Sequence, residues 1–96
     1  MLKRIIPALL FTLAVWTAAA ASNGFEEALD AYKKGDLKKA VTKLKIHIKE
    51  NPRAEAYYLL GYANYKLGRH EEARKYFEEA YLIDPELKPG EIIPGK

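Results

Sequence analysis

Cysteine is missing from all 96 residues, so no disulfide can reinforce the fold and no lipid can be attached through a cysteine. Aliphatic hydroxyls are scarce as well, because only Ser22 and Thr42 remain once positions 1–21 are set aside. The two histidines, His47 and His70, lie in different parts of the chain, and neither has a second ligand at metal-binding spacing. The glycines do not cluster into a phosphate-binding loop. We therefore expect no catalytic activity, no cofactor and no metal site.

Residues 1–21, called the leader below, differ in composition from the rest of the chain. Lys3 and Arg4 give a basic start, residues 5–16 are almost entirely apolar, and residues 17–21 are small. This order of basic, apolar and small residues is typical of a secretory signal peptide. We therefore predict that residues 1–21 are a signal peptide and that the protein is exported, to the periplasm or outside the cell.

The end of the leader carries a cleavage signal. Ala19 and Ala21 form a small-x-small site before Ser22, and the neighbouring alanines would allow cleavage one residue earlier. The apolar run is shorter than the roughly 20 residues that a membrane-spanning helix needs. We favour cleavage, and the alternative is that residues 5–21 remain as an N-terminal membrane anchor.

The basic excess of the chain comes largely from the leader. The full sequence has 16 basic and 13 acidic side chains, a net charge of +3. Without Lys3 and Arg4 the balance is 14 against 13, or +1, and the remaining lysines are interleaved with glutamates. Nucleic-acid binding needs a basic face that releases counterions from phosphates. We therefore expect no nucleic-acid partner.

Four segments of helical length follow the leader, at residues 23–34, 36–50, 53–67 and 70–83. Their apolar residues recur at spacings of three and four, the period of one helix face. Gly35 and Gly68 end the first and third segments, because glycine adopts the left-handed conformation of a helix stop. Pro52 and Pro85 end the second and fourth, because proline disfavours helix at the residue before it.

These helix-ending residues repeat along the chain. Three pairs of small or turn-forming residues share one and the same separation in sequence: Gly35 and Gly68, Ala40 and Ala73, and Pro52 and Pro85. A fixed period of this length is the signature of stacked helical repeats. We predict a repeat domain at residues 22–85, composed of two helix–turn–helix units at residues 22–52 and 53–85.

The second unit carries a specific pattern of packing residues. Residues 54–85 read AEAYYLLGYANYKLGRHEEARKYFEEAYLIDP, with these positions in register: Tyr57, Leu60, Gly61, Ala73, Phe77, Ala80 and Pro85. The pattern resembles that of the tetratricopeptide repeat, Trp-x2-Leu-Gly-x2-Tyr, then Ala-x3-Phe, then Pro. Asn64 departs from it, because the pattern has Tyr there. The small Gly61 and Ala73 are expected to let the two helices approach closely.

The first unit resembles the same pattern more loosely. Gly24 stands where the pattern has a large aromatic residue, Glu27 where it has Leu, and His47 where it has a small residue. These positions normally carry packing contacts. We therefore predict that the first helix begins late or packs loosely.

The resemblance implies an all-α, helical-hairpin repeat array of about two units, a fragment of a right-handed α-solenoid. It also implies a protein-interaction module whose concave face is lined by the first helix of each unit. In this chain, the partner-binding face is expected to consist of Phe25, Leu29, Tyr32, Lys33, Tyr58, Tyr62, Tyr65 and Lys66.

The tyrosines of this face allow two interpretations. Tyr58, Tyr62 and Tyr65 form one stripe, and tyrosine suits a binding surface because its large ring has few torsions to freeze. Aromatic residues at helical spacing are also typical of a core, so both interpretations remain open. Some family members grip a peptide's terminal carboxylate with Lys and Asn, but Phe25 and Leu29 occupy two of the matching positions and tyrosines the others. That clamp is absent, and we expect apolar and aromatic recognition.

The C-terminal segment is rich in turn-forming residues. Residues 86–96 contain two prolines and two glycines and are predicted to form an extended or turned tail. Leu82 and Ile83 make the last helix more apolar than an exposed end requires. The tail folding back, a second copy of the chain, or a partner protein could cover it, and we favour the last two.

Taken together, these features predict an exported, non-catalytic adaptor that binds a protein or peptide partner on an aromatic concave face. The alternative is a self-associating or membrane-tethered structural subunit of an envelope assembly complex.

Overall fold

The computed structural model describes residues 24–92, and the fold of this part of the chain is all-α, which confirms the predicted fold class. Four helices follow one another and a short 3-10 helix lies in the tail. Their bounds are Gly24–Lys33 (α1), Leu37–Glu50 (α2), Ala54–Lys66 (α3), His70–Ile83 (α4) and Pro89–Glu91 (the 3-10 helix). The leader and positions 93–96 lie outside the described residues.

In each unit, one glycine turn joins the two helices. Gly35 has φ +87°, and its N–H donates to the carbonyl oxygen of Tyr32 at 3.0 Å, while the N–H of Asp36 donates to that of Ala31 at 2.9 Å. This bond pair is the Schellman motif that satisfies the last carbonyls of a helix. Gly68, with φ +84°, makes the same turn after α3, with bonds from Gly68 to Tyr65 (3.0 Å) and from Arg69 to Asn64 (2.9 Å). The same pair of backbone hydrogen bonds therefore ends the first helix of each unit.

Helix α3 lies at the centre of the packing. It packs on α2 and α4 and also touches α1, whereas α1 packs mainly on α2 within residues 24–92. Its sequence explains this position, because apolar residues occur on nearly all its sides and it can be covered from several directions. Leu44 of α2 and Leu59 and Leu60 of α3 are fully buried and form the centre of the core.

The contact between α3 and α4 depends on Gly61. A Cβ atom at Gly61 would lie 2.8 Å from the Phe77 ring and 3.2 Å from the carbonyl oxygen of Ala73. The distance to the ring is shorter than real Cβ atoms show, and the distance to the carbonyl oxygen is tighter than most of their contacts. The close approach expected from the small residues at positions 61 and 73 is therefore present in the structure.

The start of α1 differs from the expectation of a late or loose first helix. The helix begins at Gly24, and a Cβ atom there would lie 2.9 Å from Nδ1 of His47. The imidazole of His47 thus occupies the space next to Gly24. In the second unit the equivalent positions hold Tyr57 and Ala80. The large side chain therefore lies on the second helix of the first unit (His47) but on the first helix of the second unit (Tyr57). This exchange supplies the contact that the sequence pattern suggested was missing.

The described part of the tail begins with a turn that starts at Asp84. Asp84 accepts a hydrogen bond from the N–H of Leu87 at 3.1 Å through its carbonyl oxygen and one from Glu86 at 3.0 Å through its side chain. Asp followed by Pro85 is a typical start of such a β-turn. The turn leads Leu87 and Ile92 into the core, where each is buried. The tail therefore contributes apolar packing, although Leu82 and Ile83 at the end of α4 remain exposed.

Candidate functional site

Four tyrosines from both repeat units form a continuous set of rings, called the aromatic row below: Tyr32 of α1 and Tyr58, Tyr62 and Tyr65 of α3. The ring centroids of Tyr32 and Tyr62 are 6.1 Å apart, which links the two units. Tyr62 and Tyr65 are also 6.1 Å apart, with planes only 2° from parallel, and Tyr58 and Tyr62 are 6.2 Å apart. The spacings of four and three residues on α3 place these rings on one side of the helix.

Helix α4 extends the aromatic row at its Tyr58 end. The Tyr58 ring lies 5.1 Å from that of Phe77 and 6.2 Å, edge to face, from that of Tyr81. Tyr81 is partly exposed, so it adds surface to the row rather than only filling the core. Tyr81 is not among the residues expected on the partner-binding face. Its position four residues after Phe77, on the same face of α4, is the signal that would have connected it to the row.

A lysine covers the middle of the aromatic row. Nζ of Lys66 lies 5.2 Å from the ring centroid of Tyr32 and 5.7 Å from that of Tyr62, within the range of a cation–π interaction. Lys66 and the equivalent residue of the first unit, Lys33, are both exposed. Neither belongs to an ion pair within residues 24–92. Lys66 therefore places a positive charge over the middle of the row that no ion pair compensates within residues 24–92.

The exposure of the tyrosines increases along the row. Tyr32 is almost fully buried at 8% exposure, Tyr58 and Tyr62 are half-buried, and Tyr65 is 51% exposed. A core residue would be covered throughout, and a purely surface residue would not touch the core. The row thus combines a packed base with an accessible edge, so the core and surface interpretations each describe part of it.

Phe25 makes its contacts away from the aromatic row within the described residues. The Phe25 ring is 6.1 Å from that of His47, and the guanidinium carbon of Arg53 lies 5.7 Å above its centroid. Leu29 is half-buried against the core. The structure therefore brings the four tyrosines and Lys66 together, while Phe25 makes its ring contacts with the ends of α2 and α3.

The hydroxyl groups of the row lie close enough to influence one another. Burial raises the pKa of the Tyr58 hydroxyl above its ordinary value, and neighbouring Tyr81, Tyr62 and Tyr32 raise that pKa further. Tyr58 consequently stays protonated across the physiological pH range. The surface offers neutral hydroxyl groups, ring faces and lysine ammonium groups, which are binding groups rather than the acid–base pair of an active site.

A family model described as the tetratricopeptide repeat matches residues 25–92, more than half of the chain. The chain belongs to the tetratricopeptide repeat family. Repeats of this family are generally non-catalytic protein–protein interaction modules. A search of curated proteins found no match.

One core position departs from the tetratricopeptide repeat pattern. Asn64, in place of the tyrosine of the pattern, is fully buried, and its Nδ2 donates to the carbonyl oxygen of Leu60 at 2.9 Å. Its Oδ1 is buried without a hydrogen-bond partner within the described residues. An unsatisfied buried acceptor lowers stability. Asn64 therefore lies wholly within the core and adds nothing to the accessible surface.

The described part of this tetratricopeptide repeat protein has neither a candidate metal cluster nor a candidate membrane span. No group of three or more His, Asp or Glu side chains lies within reach of a common metal ion between residues 24 and 92. None of the helices in that range combines the length and the apolar character that a membrane span requires.

Proposed function

We propose that this tetratricopeptide repeat protein is an exported adaptor that binds one polypeptide partner on its aromatic row. The observation that carries the proposal is the row itself, which crosses from one repeat unit to the other and leaves Tyr65 half-exposed beside Lys66. Rigid aromatic rings with a polar tip are enriched at the centres of protein interfaces. The export component rests on the signal-peptide pattern of residues 1–21 alone.

The geometry favours a peptide recognised by apolar contact. The rings of Tyr62 and Tyr65 are nearly parallel with centroids 6.1 Å apart, and the half-exposed Tyr65 gives side chains of a partner a flat surface to pack on. Their hydroxyl groups and the ammonium groups of Lys33 and Lys66 can then donate hydrogen bonds to backbone carbonyls or acidic groups of the partner.

Partner capture from the envelope fraction of the source cells tests the proposal. The tagged protein is compared with a Tyr62→Ala, Tyr65→Ala double variant, and bound proteins are quantified by mass spectrometry. Loss of two central aromatic residues is expected to lower capture at least about tenfold, because such residues each contribute about 1–2 kcal/mol or more in typical interfaces. The N-terminus of the protein recovered from that fraction, read by mass spectrometry, tests the predicted cleavage before Ser22 or one residue earlier.

The matched control removes two other half-buried rings. Tyr57 and Tyr76, whose centroids are 6.3 Å apart, form the second tyrosine pair between α3 and α4 and make no ring contact with the row. A Tyr57→Ala, Tyr76→Ala variant should lose stability yet keep its capture wherever it remains folded. If both double variants capture the same proteins as strongly as the unmodified chain, the row is only a core element and the proposal is wrong.

A further inference from the structure

The tail begins like a third repeat unit. One repeat after Ala54 and Leu59 of α3 lie Leu87 and Ile92 of the tail, and all four side chains are buried in one core. Both tail residues line a groove with Glu55, at the start of α3. The tail therefore takes the place of the first turns of a third unit's first helix.

The sequence does not favour the rest of that helix. The described part of the tail forms only a 3-10 turn, which contains Pro89. One repeat after Gly61 and Tyr62 of α3 stand Pro94 and Gly95. Proline and glycine are the residues that cost most in a helix interior. The second half of α3 thus has no counterpart in the tail sequence.

The second unit leaves open a surface that the first unit covers. Leu44 of α2 is fully buried, whereas its equivalent on α4, Phe77, is half-buried. Tyr32 is 8% exposed and its equivalent Tyr65 is 51% exposed. Helix α3 covers the first unit by packing on α2 and α1, and no helix within residues 24–92 takes that place beside α4. This surface, called the open end below, consists of one ring of α3 and one face of α4: Tyr65, His70, Arg74, Phe77 and Tyr81.

The open end is continuous with the aromatic row. The Tyr65 ring lies 5.2 Å, edge to face, from the imidazole of His70. At the other end of α4, Phe77 and Tyr81 both contact the Tyr58 ring. A helix that lies along this face of α4 therefore also touches the row.

Helix α3 shows which side chains cover such a surface. In the first unit the Tyr62 ring lies 6.1 Å from that of Tyr32, and Nζ of Lys66 lies 5.2 Å from the Tyr32 centroid. Ala63, on the same side of α3, is fully buried. The covering side thus presents an aromatic residue, then a small residue, then a cation three positions later. At the equivalent place in the second unit, no cation of the described residues lies over the Tyr65 ring.

Helix α1 of a second copy does not fit the open end in this way. Ile92 of the tail already fills the place that Glu26 of the second copy would take. Asp30 would stand where α3 has the fully buried Ala63, so its carboxylate would lose its water. Arg74 would not compensate that charge, because its guanidinium already pairs with two glutamates of its own helix. The open end therefore suits a different helix.

We propose that the open end binds a short α-helix of the partner polypeptide, which lies on α4 and the aromatic row as the second half of α3 lies on α2 and α1. This helix carries an aromatic residue followed by a small one, and Lys or Arg three positions after the small residue. The cation lies over the Tyr65 ring as Lys66 lies over Tyr32. The inference rests on the proposed function and names the conformation and side chains of the partner's binding segment.

A helical probe copied from α3 tests the arrangement. The probe is a synthetic peptide with the sequence of residues 60–69, held helical by a hydrocarbon staple between positions 61 and 65, on the side away from the proposed contact. The isotope-labelled protein, purified as the cell delivers it, is titrated with the probe to millimolar concentration. Amide signals of the open end, among them those of Tyr65, His70 and Phe77, should shift and saturate.

Matched variants check the predicted contacts. Tyr65→Ala in the protein should weaken probe binding about tenfold or more, because it removes the ring that both the aromatic residue and the cation touch. Leu82→Ala, on another side of α4, should leave binding unchanged. In the probe, Lys66→Gln should weaken binding about threefold or more. Asn64→Asp lowers the probe's charge by the same amount on its far side and should have no effect.

Three outcomes overturn the inference. The first is that the probe shifts no signal of the open end, or shifts those of α2 instead. The second is that the same signals shift with protein concentration alone, which would make a second copy the occupant. The third is that the probe binds only after residues 93–96 are deleted, which would make the chain's own end the occupant.

Partner capture separates this inference from the proposed function. An excess of the probe should release the captured partner, and the Lys66→Gln probe should release less of it. If the Tyr62→Ala, Tyr65→Ala variant loses capture but the probe neither binds nor releases the partner, the row binds a partner in another way and only the helical inference is wrong. Unchanged capture by that double variant overturns both.

Discussion

Gly61 shows how a single missing side chain determines the distance between two helices. The space where its Cβ would lie is already occupied by the Phe77 ring at 2.8 Å and approached by the Ala73 carbonyl at 3.2 Å. The reason for a small residue at position 61 is the proximity of α4, since the position is an ordinary helical one. The same contact buries Ala73 and brings Phe77 next to Tyr58 at one end of the aromatic row.

Replacing Gly61 by leucine is therefore expected to unfold the repeat. Overpacking of this kind costs about 1–3 kcal/mol or more, and a domain of this size has little stability to lose. Thermal melting followed by circular dichroism measures the effect. Gly90→Leu is the matched control, because no atom lies within 4 Å of a Cβ built at Gly90. An unchanged melting temperature for Gly61→Leu would contradict the packing described for α3 and α4.

At the scale of elements, the two helical hairpins reach the same geometry with different partners. The first hairpin has Gly24 on α1 against His47 on α2, whereas the second has Tyr57 and Ala80 at the equivalent positions. Judged one residue at a time, Gly24 and His47 both look unfavourable in the first unit. Judged as a pair, they restore the volume that the contact between helices needs.

This exchange predicts a strong coupling between positions 24 and 47. Gly24→Tyr alone should clash with the imidazole, and His47→Ala alone should leave a cavity, each lowering the free energy of unfolding by about 1–3 kcal/mol. The double variant should be more stable than the sum of these losses allows, by about 1 kcal/mol or more, because it recreates the arrangement of the second hairpin. Urea denaturation of the four proteins measures the coupling.

A second cycle serves as the control for that coupling. Ile46 neighbours His47 in sequence but is exposed, so Gly24→Tyr and Ile46→Ala should act additively. If Gly24→Tyr and His47→Ala also lowered the free energy of unfolding additively, the imidazole would not fill the space beside Gly24.

At the scale of the whole molecule, the tail completes the array of helices. An array of only two units leaves apolar surface at its ends. Leu87 and Ile92 are 9% and 7% exposed and belong to the same core as the helices, so the chain covers part of that surface itself. The aromatic row keeps an exposed edge outside this core, because Tyr65 is 51% exposed.

Truncating both tail residues tests this role. Leu87→Ala with Ile92→Ala is expected to lower the free energy of unfolding by about 2–5 kcal/mol, because both side chains are buried. The corresponding fall in melting temperature is about 8 °C or more. Leu82→Ala is the control, since that side chain is exposed and its loss should change stability by no more than about 0.5 kcal/mol. Equal melting temperatures for all three proteins would show that the tail is not part of the core.

The repeat, the helix ends and the all-α class could be predicted from the sequence because each depends on residues close together along the chain. Gly35 and Gly68 stop helices through their own backbone conformations, and apolar spacing defines a helix face within a few residues. The stripe of tyrosines on α3 follows from the same local period. Its connection to Tyr32 and Tyr81 does not, because it depends on how α1 and α4 lie against α3.

The tertiary structure alone decided which distant residues meet. It placed His47 beside Gly24, separated Phe25 from the aromatic row, and brought Leu87 and Ile92 into the core. Each of these outcomes depends on the relative positions of whole helices, which packing of the complete set of side chains determines. The amino-acid sequence, read by itself, established that two similar hairpins stack, since their period and turns are local properties. Which surfaces that stack leaves exposed is a property of the folded molecule.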